Sequence, residues 1–199
     1  MLAITAACAS GTGGDQPDAR ANGDGGGVDA QRVGDAGCVA LELLGNGDFE
    51  NGSVGWSQSS SIIRGSGQLP FAPHDGASAA MFGVSNSAND VLTQTVSVPS
   101  TATRLRLSGY ECHVTTDAAA NADRFAIDVT TAGGSVLENL VDLTNSDVAG
   151  TCSWTPFERV TADSHAGDDV TLRLTAQTNA TALTRFIVDS LALEALVCP

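Results

Sequence analysis

A chain of 199 residues with a formal net charge of −14, of which 42% is apolar, 16% charged and 5% aromatic, holds material for one domain and an appendage. All nine basic residues are Arg and none is Lys, so the dense cationic surface that grips a phosphate backbone or an anionic membrane is missing, which excludes nucleic acid as a partner class. With 22 glycines and few large rings, the interior has to be built from Val, Leu, Ile and Ala, a composition suited to strands and turns.

The first eight residues, MLAITAAC, resemble the closing part of a bacterial lipoprotein signal, in which a short apolar stretch and small residues precede a lipidated cysteine, here Cys8. Thr5 stands where such signals usually carry Leu, and the bland alternative is a leader with an unmodified Cys8. Residues 9–37 contain nine Gly, five Asp and no aromatic, too little apolar surface to offset the entropy of ordering them. They read as a flexible tether with a reach of roughly 30 Å. No run approaches the about 18 apolar residues of a spanning helix, so attachment to a membrane is expected only through a lipid on Cys8.

From residue 38 to 199 the sequence alternates with period two. Strands are expected at 39–44, 60–64, 78–83 and 90–98, then in TRLRLSGY, where Leu105 and Leu107 oppose Arg104 and Arg106. RFAIDVTT sets Phe125, Ile127 and Val129 against Arg124, Ala126 and Asp128. AAANAD at 118–123 is too short for a stable helix and reads as a loop. Further strands are expected at 135–142, 154–161, in DVTLRLTA, and at 184–195, separated by turn clusters such as NGS, AGG and HAGDD. About ten strands without an amphipathic helix indicate an all-β, antiparallel β-sandwich.

Four cysteines lie in or beside this region: Cys38, Cys112, Cys152 and Cys198. None forms a C-x2-C pair, which argues against zinc, and as disulfides they imply an exported protein. Four cysteines allow three pairings, and spacing alone does not choose among them.

The segments LLGNGDFENGSVGW, DVLTQTVSVP, WTPFERVTADSHAGDDVTLRLTA and FIVDSLALE, in that order, resemble the jelly-roll carbohydrate-binding and galactose-binding-like modules over roughly residues 39–195. In that fold the first and last strands are neighbours, which implies Cys38–Cys198 and, by remainder, Cys112–Cys152. The resemblance also implies a structural Ca²⁺ held by Glu50 and Asp189 together with turn carbonyls, although Ser190 stands where the family carries a second Asp. The rival reading gives both carboxylates to turn N–H groups. Phe49 and Trp56 are read as plugs closing one end of the sandwich, with the indole N–H seeking a carbonyl.

The resemblance makes a glycan the default ligand. Sugar rings stack on exposed aromatics and are fixed by directional polar groups, and Tyr110, Glu111 and His113 on the strand YECHV, with Trp154, are the candidate binding residues. Phe71 and Phe82 are further candidate platforms, and packing on the Cys152 disulfide is the competing role for Trp154. His74, His113 and His165 are dispersed, and neither H-E-x-x-H nor G-x-S-x-G occurs, so no catalytic residue is nominated. The chain is thus expected to be a non-enzymatic recognition module at a bacterial cell surface. The alternatives are an adhesive module that binds another protein, and a hydrolase, which would need a pocket gathering a His or two carboxylates.

Overall fold

A computed structural model describes residues 32–34, 37–147 and 151–199. Cys8 and the greater part of the expected tether lie outside the described residues. Two antiparallel sheets are built from β1 (Arg32–Gly34), β2 (Cys38–Glu42), β3 (Ser57–Gln58), β4 (Ile63–Gly65), β5 (Ser78–Phe82), β6 (Asn89–Ser97), β7 (Arg104–Thr115), β8 (Arg124–Thr131), β9 (Val136–Thr144), β10 (Thr155–Val160), β11 (Asp169–Gln177) and β12 (Thr184–Val197). No α-helix occurs among the described residues.

All ten expected strands form, and residues 118–123 are a loop. Two short strands escape the sequence reading: β3, and β1, which lies inside the expected tether yet pairs with β2 from Arg32↔Ala40 to Gly34↔Cys38. Neither carries enough alternation to be seen, since each is recruited by a neighbour's open edge.

The five-stranded sheet runs β3-β6-β11-β8-β9. In the seven-stranded sheet, β7 lies along one edge of β12 and carries β10 outside it; β5 and β2 share the other edge end to end, flanked by β4 and β1. Between β5 and β2 the last strand bulges at Asp189–Ala192, with Ser190 at φ 52°. Gly47 fills that break: Leu191 N–H donates to its carbonyl at 2.9 Å, and a Cβ on Gly47 would collide with the Leu191 carbonyl.

The alternating apolar residues meet between the sheets. Phe49, Phe82, Phe125 and Phe186 are fully buried there with Leu105, Leu107, Ile127, Leu172, Leu174 and Leu193. Phe186 stacks on Phe125 at 5.5 Å, and Phe82 meets Phe125 edge-on at 5.2 Å. Each such ring contributes about 2–3 kcal/mol by leaving water. Trp56 is buried beside Phe49 and its Nε1–H donates to the Asn46 carbonyl at 2.9 Å, so the two rings close the sandwich as their positions implied. Phe82, a candidate platform, is core.

Both disulfides follow the expected pairing: Cys38–Cys198 joins β2 to the chain just beyond β12, and Cys112–Cys152 joins β7 to the segment entering β10. The second lies on the outer face of the seven-stranded sheet, where Ala79, Met81, Cys112 and Ile187 form a small satellite core. Leu69, Val84, Cys152 and Trp154 pack onto it.

Candidate functional site

Strand alternation assigns the expected ligand residues to two faces. Leu105 and Leu107 of β7 point into the core, so Glu111 and His113 share that side while Tyr110 and Cys112 point outward. His113 is buried, its Nδ1 lies 2.7 Å from Glu111 Oε2, and its ring lies against Phe186. Burial works against a charge on His113, but hydrogen bonding to Glu111 prevails and raises its pKa. Tyr110 and Trp154 instead come together on the outer face through a residue the sequence did not single out, His74. Its ring stacks on Tyr110 at 3.4 Å and meets Trp154 edge-on at 5.9 Å. Trp154 Nε1–H donates to the Ala72 carbonyl at 3.2 Å, so this indole both packs on the disulfide and pins the 69–74 segment.

The two carboxylates expected to hold Ca²⁺ converge on one stretch of chain. Asp189 Oδ2 accepts the N–H groups of His74 and Asp75 at 2.9 and 3.2 Å, and its Oδ1 accepts that of Ser190 at 2.6 Å. Glu50 Oε1 accepts the N–H groups of Ala77 and Ser78 at 2.9 and 2.8 Å. Asp189 is fully buried, and burial pushes its carboxyl up to about 6 in spite of those amide donors. Among the described residues neither carboxylate has an Arg or His in an ion pair with it. Both carboxylates thus accept turn N–H groups, as the rival reading expected, and their oxygens are of the hard type that Ca²⁺ takes. Among the described residues no three His, Cys, Asp or Glu gather for a metal, so backbone carbonyls would have to complete a shell.

A different set of residues lines a trough on the outer face of the five-stranded sheet. Outward side chains of β8 are buried there although they face away from the core: Ala126, Asp128 and Thr130. Ala126 and Asp128 form the floor of a cavity of about 420 Å³ lined also by Arg124, Val136, Asn139, Arg173, Thr175 and Gln177. The pairing β8–β11 sets Arg124 opposite Gln177, Ala126 opposite Thr175 and Asp128 opposite Arg173. Asp128 accepts from Arg173 Nη2 at 3.0 Å and from Asn139 Nδ2 at 2.8 Å, and Arg124 is held by both oxygens of Asp142 at 2.6 and 2.8 Å. Donors and acceptors are therefore fixed before any ligand arrives, which lowers the ordering cost of binding. No aromatic lies among the residues lining this trough. Sequence reading saw these positions only as the polar phase of two strands, because the register that juxtaposes them is a tertiary fact.

No family model matches the chain, and no curated protein matches it. Solved structures do. TmCBM61, solved with β-1,4-galactotriose, is 20% identical with a TM-score of 0.54, over 76% of this chain and 97% of that one. A family 16 carbohydrate-binding module is 19% identical with a TM-score of 0.52, over 76% and 98%. The K3 adhesin domain of Lys-gingipain from Porphyromonas gingivalis is 16% identical with a TM-score of 0.54, over 78% and 98%. At these identities the likeness is one of architecture. What the sequence motifs implied for residues 39–195 therefore stands at the level of fold: the chain is built as the jelly-roll β-sandwich of carbohydrate-binding modules.

Proposed function

We propose that the protein is a non-catalytic glycan-recognition module whose ligand lies in the trough on the five-stranded sheet. The observation that carries this reading is the mutually braced set Arg173–Asp128–Asn139 on the trough floor, directional groups suited to sugar hydroxyls in a cavity of about 420 Å³. The fold shared with TmCBM61 supports it. With no aromatic in the trough, affinity comes from hydrogen bonds, each charge-assisted one worth about 1.5–3 kcal/mol. Titration calorimetry against neutral polysaccharide fragments, beginning with β-1,4-galactotriose, tests the reading. Binding is expected to fall about tenfold or more in Arg173→Ala and Asp128→Asn and to persist in Tyr110→Ala. A folded protein that binds no member of a broad glycan array overturns it.

A protein ligand is the second reading. Val136, Leu137 and Val160 are exposed at the outer strands β9 and β10, and an adhesin domain shares the fold. A charged substitution at Val160, which lies outside the trough, that abolished cell adhesion while sparing glycan binding would favour it.

The anchoring and the cation belong to the same proposal. Lipidation of Cys8 would place the sandwich at the end of a tether on a bacterial surface; intact mass of the natively expressed protein reads this directly. The two disulfides suit an oxidising compartment, and among the described residues no helix is long and apolar enough to cross a membrane. Glu50 and Asp189 would hold Ca²⁺, which supplies the positive charge that the buried Asp189 lacks.

A further inference from the structure

The outer face of the seven-stranded sheet carries a second groove, of about 830 Å³, whose chemistry is opposite to that of the trough. Its base is apolar: Tyr110, backed by the stacked His74, stands beside its cross-strand partner Pro156 of β10. Around this base stand four carboxylates, Glu42, Asp48, Asp75 and Glu158. Among the described residues none of the four is in an ion pair, whereas Asp128 and Asp142 at the trough each hold a guanidinium.

These acids are not consumed by local structure. Glu42 spends Oε1 on the N–H groups of Leu43, Leu44 and Leu193, and Asp48 and Asp75 each use Oδ1 on a nearby N–H. Their second oxygens are uncommitted, and Glu158 makes no side-chain hydrogen bond among the described residues. Burial, with a smaller contribution from the neighbouring Glu194, raises the Glu42 pKa, while Glu194 itself is paired with Arg106. The chain's net charge of −14 adds attraction for a cation at longer range.

An apolar ring platform edged by unpaired carboxylates selects a ligand with a flat aliphatic face and a positive charge. We propose that this groove is a second binding site, for oligosaccharides of protonated amino sugars. The C–H face of a pyranose ring lies on Tyr110 and Pro156, and its ammonium groups reach the surrounding carboxylates. Such a ligand is complementary to this groove and mismatched to the trough, whose carboxylates are already held by guanidinium groups.

Calorimetry with a hexamer of β-1,4-linked glucosamine at about pH 6 tests this against the fully N-acetylated hexamer and against spermidine. The glucosamine hexamer is expected to bind at least about tenfold more tightly than either, and to weaken as salt rises. Glu158→Gln and Tyr110→Ala are expected each to cost about fivefold or more, with thermal unfolding confirming that both variants fold; Arg173→Ala, in the trough, leaves binding unchanged. Equal affinity for the N-acetylated hexamer, equal affinity for spermidine, or no binding by the folded parent overturns the proposal. None of these results bears on glycan binding in the trough, which Arg173→Ala reads separately.

Discussion

Asp189 and Tyr110 are cross-strand partners, and the first holds in place the group that stacks on the second. The Asp189 carboxylate takes the backbone N–H groups of His74 and Asp75, and this sets the His74 ring 3.4 Å over Tyr110. A buried acid near the end of the chain thus orders a loop more than a hundred residues earlier. Asp189→Ala leaves three amide N–H groups without their acceptor and is expected to lower stability by about 2–4 kcal/mol. Urea unfolding measures this, and Tyr110 fluorescence is expected to change in the native baseline as the stack loosens.

Calcium is expected to raise the thermal midpoint of the parent, because a cation between Glu50 and Asp189 binds the folded state alone. Glu50→Gln retains an oxygen for the Ala77 and Ser78 amides but removes the charge, so it is expected to fold while losing the calcium-dependent shift. Scanning calorimetry of both proteins with calcium and with chelator decides. An equal midpoint in all four conditions assigns the two carboxylates to amide binding alone.

Reduction is expected to lower stability through both disulfides. In the chain-entropy account, the bridge closing 160 residues contributes about 5 kcal/mol and the one closing 40 about 4, each comparable with the whole stability of a domain. Unfolding midpoints of Cys38→Ser/Cys198→Ser and Cys112→Ser/Cys152→Ser measure the two contributions, and the first pair is expected to be the more damaging.

Acid is expected to loosen the turn between β10 and β11 before the sheets. Burial pushes the Glu138 carboxyl up, but the N–H groups of Ala162 and Asp163 and the imidazole of His165 outweigh it and hold the pKa below the ordinary range. A depressed carboxylate contributes stability above its unfolded value, about 4.3, and that contribution disappears as pH falls through the folded value. Hydrogen exchange at 161–168 is expected to rise in that window in the parent, and to be high and insensitive to pH in Glu138→Gln.

The strands were legible because their signal is local. In β11, Val170, Leu172 and Leu174 alternate with Thr171, Arg173 and Thr175, and burying one phase is enough to define a strand. The disulfides and the Phe49–Trp56 plug were legible through resemblance, since a shared fold fixes which chain ends meet. The candidate sites were not legible in the same way. Tyr110 and Trp154 carry a signal as aromatics beside polar residues, but His74, which joins them, sits in a PHDG turn and is placed by the distant Asp189 and Ser190. Glu111 and His113 were grouped with Tyr110 by nearness in sequence, whereas alternation turns them toward the interior. Asp128 and Arg173 meet only through the β8–β11 register, which no local pattern specifies.

The Cys38–Cys198 bridge has a mechanical consequence. Tension applied between Cys38 and Cys198 passes from sulfur to sulfur rather than through the strands between them. Pulling on the chain at those two cysteines therefore loads the bridge and leaves β2 and β12 unstretched.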